Sequence, residues 1–114
     1  MDYKNKRVQI MDKDNALKLS IQYLKRLKEN NIKFIDAWLF GSYATGSQRS
    51  DSDIDIAIIF EDDKSKTFEN EIKLMIIRNG EETLIEPHAF TKDEFRTGSP
   101  LINQIINYGE KLII

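Results

Sequence analysis

The sequence predicts an α+β domain in which helices pack mainly on one face of a small mixed β-sheet. Segments with helical periodicity and short apolar runs follow one another in the order helix, strand, strand, helix, strand, helix, short strand. The chain has 114 residues, a length that fits one domain, and 40% of them are hydrophobic, which is enough for one core. These observations set the fold class.

The first helix is predicted over residues 14–30. Apolar residues recur along it at spacings of four, three and three, so that they form one stripe: Leu17, Ile21, Leu24 and Leu27. Asp12 or Asp14 can cap its start. The polar residues before it predict an N-terminal arm over residues 1–13, which leaves residues 14–114 as the single domain.

Two strands are predicted around a small-residue loop. Phe34–Phe40 is a short apolar run rich in strand-forming residues. Gly41–Ser52 is rich in Gly, Ser and Thr, and predicts a turn or short helix followed by a loop. Asp53–Phe60 first alternates and then becomes continuously apolar, which predicts a second, largely buried strand.

A second helix and a third strand are predicted next. The helix covers Thr67–Arg78 and ends at Asn79-Gly80. Its predicted core face consists of Phe68, Ile72, Met75 and Ile76. Thr83–Phe90 is predicted as the third strand.

The last helix is predicted to begin at Ser99-Pro100, with proline at its first position, and to end at Gly109. Just before it, Thr91 and Glu94 have the spacing of a capping box. The apolar face of the helix is Leu101, Ile102, Ile105 and Ile106, and exposure around Ile105, Ile106 and Tyr108 indicates an interface. Residues 110–114 predict a short edge strand.

Composition excludes several classes of protein. The net charge of -2 carries no strong signal for direct nucleic-acid binding. The absence of cysteine excludes disulfides and thiolate metal sites, and fits a reducing cytoplasm. The N-terminus lacks the apolar region of a signal peptide, and no apolar run approaches the length of a membrane span. We therefore expect a cytoplasmic protein.

The segment GSYATGSQRSDSDIDIAIIF, residues 41–60, carries the functional signal. On a strand, residues i and i+2 point to one face, so Asp53 and Asp55 should project their carboxylates side by side. Adjacent carboxylates repel one another, and Mg²⁺ removes that cost by binding carboxylates together with substrate phosphates. Gly41 allows close approach of a ligand to the backbone, and Ser42 adds a hydroxyl and an N–H for phosphate oxygens. The pattern predicts a site for a metal-bound nucleoside triphosphate.

Each of these residues also has a purely structural interpretation. Gly41-Ser42 can be a tight turn in which Ser42 caps a short helix. Asp53 and Asp55 can be turn or capping residues before a strand, an interpretation that fits Asp51 well, so Asp51 is left out of the site. For Asp55, which lies between Ile54 and Ile56, that interpretation is weak.

The segment resembles the minimal nucleotidyltransferases of the polymerase-β-like superfamily, whose signature is Gly-Ser, a spacer of about ten residues, and Asp-x-Asp. Gly41, Ser42, Asp53 and Asp55 match it. The resemblance is dense over residues 41–58 and weaker as far as Phe90. It implies the nucleotidyltransferase fold and a site with two Mg²⁺ ions and ATP as the nucleotide donor.

The resemblance also implies a third carboxylate on the strand after the second helix. Glu86 is the candidate, because it is the only acid within the apolar part of that strand. A solvent-facing residue paired with a lysine is its structural alternative. Many relatives have aspartate at this position, so the metal geometry and the role of a base stay open.

Two further positions bear on the site. Many relatives have arginine after the Gly-Ser, where this chain has Tyr43, so a phosphate-contacting arginine is either missing or supplied by Arg49. The alternative interpretation of Arg49 is a solvent-exposed charged residue in the loop. His88 lies two residues after Glu86 and shares its face if the strand is regular; it is either a structural histidine or a residue that binds nucleotide or tunes Glu86.

The activity implied is transfer of AMP, or another NMP, onto a hydroxyl. Asp53 and Asp55 hold the ions, Glu86 shares the second ion or accepts the proton, and Gly41 and Ser42 grip the triphosphate. Relatives this short act on a separate partner, often a small helical protein of the HEPN type that is the toxin to their antitoxin. Two alternatives are a weakly catalytic or non-catalytic module that neutralises its helical partner, and a small-molecule transferase of the aminoglycoside-modifying kind. Transferases of the second kind carry an additional helical domain, which ranks that alternative lowest.

Overall fold

The computed structural model describes residues 11–114, which form a four-stranded sheet and five α-helices. The elements in chain order are α1 (Lys13–Glu29), β1 (Asp36–Phe40), α2 (Ser42–Thr45), β2 (Ile54–Phe60), α3 (Phe68–Ile76), a 3₁₀ helix (Gly80–Leu84), β3 (Ile85–Thr91), α4 (Lys92–Thr97), α5 (Pro100–Tyr108) and β4 (Glu110–Lys111). The α+β class is confirmed and each predicted helix and strand is present, whereas the 3₁₀ helix and α4 are additional to the predicted order. The predicted arm over residues 1–13 falls mostly on residues 1–10, which lie outside the described residues.

The sheet is mixed, with strand order β3-β2-β1-β4. Strand β1 runs antiparallel to both β2 and β4, whereas β2 and β3 are parallel. The parallel pair needs a crossover, and α3 supplies it. The short β4 is an edge strand, as predicted for the C-terminal segment.

Side chains cap most of the helices at the expected positions. Of the two predicted caps of α1, the structure uses Asp12, whose Oδ1 accepts from the Asn15 N–H at 2.8 Å. The capping box at Thr91 and Glu94 is confirmed, because each side chain accepts from the other's backbone N–H. Within the described residues, no helix is both long enough and apolar enough to cross a membrane.

The sheet buries its two faces to different extents. On the α1 face, which packs against α1 and α3, the core residues include four from β2: Ile54, Ile56, Ile58 and Phe60. On the α5 face, which packs against α4 and α5, the core is the smaller cluster of Phe40, Ala57, Ile59 and Ile105. The larger part of the core therefore lies on the α1 face, and the α5 face leaves room for other side chains.

The predicted core face of α3 is wrong. Phe68, Ile72, Met75 and Ile76 are 79%, 44%, 44% and 71% exposed, and the buried residue of α3 is Leu74. The hydroxyl of Tyr23 in α1 donates to the Leu74 carbonyl at 2.5 Å, which holds this side of α3 against α1. Periodicity identified an apolar stripe but not which side of the helix meets the sheet.

The predicted apolar stripes of α1 and α5 are partly wrong. In α1 the buried positions are Ala16, Ser20, Tyr23, Leu24 and Leu27, whereas the predicted Leu17 and Ile21 are only partly buried. In α5, Ile105 is fully buried and cannot contribute to an interface, while Leu101, Ile106 and Tyr108 are exposed by 40%, 45% and 66%.

A buried ion pair joins α1 to the start of β3. Glu82 in the 3₁₀ helix is fully buried, and its carboxylate accepts from the Arg26 guanidinium at 2.9 Å, from Gln22 Nε2 at 2.7 Å and from the Asn79 N–H at 3.0 Å. Burial by itself raises the pKa of Glu82, but these donors outweigh it and leave the pKa below its ordinary value. The pair positions the entrance to the strand that carries Glu86.

Candidate active site

Strand register brings the predicted acidic residues of β2 and β3 together on the α5 face. Asp55 pairs with Glu86 across the parallel strands, and His88 lies opposite Ala57. Asp55, Ala57 and Ile59 alternate with the buried residues of the α1 face, so Asp55 points to the α5 face. Pro87 does not disturb the alternation of side chains between the two faces of β3. Glu86 and His88 therefore share one face, as the sequence predicts for a regular strand.

The side chains of Asp55, Glu86 and His88 form a compact cluster. Asp55 Oδ1 lies 3.1 Å from His88 Nε2, and Glu86 Oε1 lies 3.6 Å from the same nitrogen. One ligand atom from each residue lies within 4.8 Å of the others. The Phe40 ring contacts the imidazole edge-on, with ring centroids 4.9 Å apart, and so limits its rotation. These donor types and separations suit a metal ion.

Asp53 extends the cluster from the residue just before β2. Its carboxyl lies beside Glu86 and is the main reason that the pKa of Glu86 is raised; partial burial and Asp55 act in the same direction, and His88 opposes them. Among residues 11–114, no Lys or Arg forms an ion pair with these three acids. The uncompensated negative charge is what a bound divalent cation would neutralise.

The Gly-Ser turn lies directly against this acidic cluster. Gly41 has φ of +76°, and a Cβ atom at this position would collide with Asp55 Oδ2. The turn starts α2 at Ser42 and borders a cleft of about 260 Å³, whose other side is formed by Gln104 and Tyr108 of α5. Glycine is therefore needed both for its backbone conformation and for the space that Asp55 occupies.

The structure separates the other predicted positions from the cluster. Tyr43 is 3% exposed and packs in the core of the α1 face, so it does not replace the arginine of relatives. Arg49 is exposed in the loop before β2, where its backbone N–H donates to Ser52 Oγ at 2.7 Å. Within the described part of the chain, no hydrogen bond or ion pair joins the Arg49 side chain to the three acids. Asp51 is exposed in the same loop.

Most of the large cleft space lies away from the acidic cluster. A cleft of about 770 Å³ is lined by α1 residues such as Asn15 and Lys18 and by Tyr43 and Ser52, without the clustered acids. His88 is the cluster member that the sequence interpretation left open. The signal that could have found it was its position two residues after Glu86 on the same face.

Fold and site together define a class: an α+β domain whose mixed sheet carries three carboxylates beside a Gly-Ser turn, suited to a metal-bound phosphate ligand. The chain belongs to the family described as the nucleotidyltransferase domain, whose family model matches residues 20–112. It is a nucleotidyltransferase, as the Gly-Ser and Asp-x-Asp resemblance implied. A comparison with curated proteins found no match.

Several solved structures are similar to this chain. A provisionally assigned nucleotidyltransferase from Sulfolobus solfataricus is 17% identical, with a TM-score of 0.62 over 87% of this chain and 80% of that one, and shows the shared fold. A toxin–antitoxin structure with AMP-PNP is 29% identical, with a TM-score of 0.52 over 79% of this chain and 68% of that one. A mutant toxin–antitoxin MntA–HpeT structure is 24% identical, with a TM-score of 0.47 over 81% and 70% of the two chains.

Proposed function

We propose that this chain is a Mg²⁺-dependent nucleotidyltransferase that moves AMP, or another NMP, from a nucleoside triphosphate to a hydroxyl group. The observation that carries the proposal is the pairing of Asp55 with Glu86 across β2 and β3, with Asp53 beside them and Gly41 pressed against Asp55. A site of this kind acts by positioning and by stabilising charge, without a covalent protein intermediate.

The donor set fits the proposed metal. Asp53, Asp55 and Glu86 offer carboxylate oxygens, the ligands that Mg²⁺ prefers, and triphosphate oxygens and water complete its usual shell. Asp53 and Asp55 would hold two ions, and Glu86 would share the second. When bound, the ions would supply charge neutralisation at the triphosphate and a lowered pKa at the acceptor hydroxyl.

The remaining residues bind and orient the reactants. Gly41 and Ser42 line the 260 Å³ cleft and offer the triphosphate a close backbone and a hydroxyl. Arg49 is an additional candidate contact from the neighbouring loop. The acceptor oxygen forms a bond to the α-phosphorus while the bond from that phosphorus to the bridging oxygen breaks, and pyrophosphate leaves. The acceptor proton goes to Glu86 or to solvent.

We propose that the acceptor lies on a partner protein, a small helical protein of the HEPN type, and that this chain acts as its antitoxin. The 29% identical relative is described as a toxin–antitoxin with AMP-PNP, which supports both a protein partner and ATP as the donor. Exposed apolar residues on α3 and α5, including Phe68 and Tyr108, provide surface for such a partner.

The test is incubation with ATP labelled at the α-phosphate, Mg²⁺ and the helical product of the adjacent gene. We expect label on the partner and release of unlabelled pyrophosphate. The double variant Asp53→Asn/Asp55→Asn should lose the transfer, whereas Asp51→Asn, a matched change in the preceding loop, should retain it. If wild type transferred no label to this partner or to any other hydroxyl acceptor, the proposal would be wrong.

A non-catalytic binding module is the second candidate, favoured by the four large apolar residues that α3 leaves exposed. In that case the double variant would neutralise the partner as fully as wild type does, and no transfer would accompany neutralisation.

A further inference from the structure

We propose that His88 is a direct metal ligand, so that the cation held by Asp55 and Glu86 has one nitrogen and two carboxylate ligands. This proposal rests on the proposed function in one respect only, namely that a divalent cation binds these acids. It concerns which ions the site prefers, a property that can be measured without nucleotide or partner.

The separations of the donor atoms support direct ligation. Adjacent ligands of one ion with bonds of about 2.0–2.2 Å lie roughly 3.0–3.5 Å apart. His88 Nε2 is 3.1 Å from Asp55 Oδ1 and 3.6 Å from Glu86 Oε1. An ion can therefore enter between the three atoms with small side-chain rotations and no change in the register of β2 and β3.

The orientation of the imidazole also favours a shared cation over a simple hydrogen bond. Nε2 faces two carboxylate oxygens at once, and a single N–H there can donate well to only one of them. A metal ion attracts all three donors. The Phe40 ring holds the imidazole from the side at 4.9 Å between centroids, which keeps Nε2 directed at the acids.

A nitrogen ligand changes the metal preference of the site. Mg²⁺ prefers oxygen ligands and retains water, whereas imidazole is a good ligand for later transition metals such as Co²⁺ and Zn²⁺. A site of carboxylates alone has a weaker bias of this kind. We therefore expect His88 to strengthen binding of Co²⁺ much more than binding of Mg²⁺.

Pulsed electron paramagnetic resonance of Mn²⁺ bound to the untagged protein, without nucleotide, tests the ligation directly. The sequence has one histidine, so a signal from imidazole nitrogen identifies His88 without ambiguity. We expect nitrogen coupling in wild type, altered coupling when histidine is labelled with ¹⁵N, and no coupling in His88→Gln, which offers an amide oxygen in place of the nitrogen. Wild type with bound Mn²⁺ and no nitrogen coupling would overturn the proposal even if no variant folded.

Affinities for the metals alone supply the second readout. His88→Gln should weaken Co²⁺ binding about tenfold or more and leave Mg²⁺ binding much less affected. Glu61→Gln, an exposed acid at the other end of the sheet that pairs with Lys92, is the matched control and should change neither affinity. If His88→Gln weakened the binding of Co²⁺ and of Mg²⁺ equally, His88 would only orient Asp55. That result would contradict direct ligation. Loss of AMP transfer with nitrogen coupling intact would instead count against the proposed function alone.

Discussion

The two faces of strand β2 show how one short segment serves both stability and chemistry. On the α1 face, Ile54, Ile56, Ile58 and Phe60 are fully buried beneath α1 and α3. On the α5 face, Asp55 stands beside Glu86 and His88, and only Ala57 and Ile59 pack against α5. The larger core of one face allows the other to hold uncompensated acids. Substitutions on β2 should therefore separate activity from stability according to the face they change.

The largest expected effect is on the α5 face. Asp55→Asn removes a carboxylate that the proposed site needs for charge stabilisation, so AMP transfer should fall on the order of a thousandfold. The melting temperature should not fall, because the change relieves repulsion with Glu86. Transfer rates and thermal melts of the same preparations check this. Asp51→Asn is the matched control, and an equal loss of activity there would contradict the assignment.

The opposite result is expected on the α1 face. Ile58→Ala leaves a cavity in the main core and should lower the free energy of unfolding by about 3 kcal/mol, measured by chemical denaturation. Transfer per folded molecule should stay close to that of wild type. Ile72→Ala, at a 44% exposed position of α3, is the control and should cost little. A selective loss of activity in Ile58→Ala would break the distinction between the faces.

Gly41→Ala tests the contact between the turn and the acid. The new methyl group must displace the Asp55 carboxylate, and a displacement of this kind should slow transfer by about 100-fold. Gly46→Ala separates this effect from backbone strain, since Gly46 also has a positive φ, of +80°, but open space around its Cβ position. Both variants should lose about 1 kcal/mol of stability, and only Gly41→Ala should lose activity.

The smallest expected effects concern the pH dependence of the free energy of unfolding. Glu82, on the α1 side, has a lowered folded-state pKa, so its stabilisation is fully present above its unfolded pKa and is lost as pH falls through the lower folded value. Glu82→Gln should cost on the order of 2 kcal/mol at pH 7, with the difference from wild type shrinking below roughly pH 4.3, the ordinary glutamate pKa. Urea denaturation at a series of pH values measures it.

For Glu86, on the α5 face, the pH dependence of stability should have the opposite sign. Its raised pKa means that the ionised group opposes folding at neutral pH, and that protonation relieves the penalty as pH falls through the raised folded value. Glu86→Gln should therefore be slightly more stable than wild type at pH 7, and the gain should vanish in acid. A loss of stability at pH 7 in metal-free buffer would contradict this.

The order of elements could be predicted from the sequence because local signals carry it. Capping residues such as Thr91 and Ser99 and the alternating pattern of β2 depend on nearest neighbours along the chain. The side of α3 that faces the core could not be predicted, because its apolar stripe says only that one face avoids water. The docking of α1, through Tyr23 and Leu74, decided it.

Part of the candidate site could likewise be predicted from the sequence, and part of it could not. Gly41, Ser42, Asp53 and Asp55 are recognisable because they are near one another in sequence and their spacing is distinctive. Glu86 required the pairing of β2 and β3 to become their neighbour. Glu82 and Arg26 gave no local signal, since the ion pair joins residues 56 positions apart.

The sequence by itself determined the α+β class, the helix caps and the motif that marks a nucleotidyltransferase, since each depends on residues close along the chain. The tertiary structure decided that Asp55, Glu86 and His88 meet on the less covered face of the sheet, and that Tyr43 and Leu74 turn into the core. The physical reason is that strand register and helix docking come from packing between distant segments, which the spacing of residues along one segment does not record.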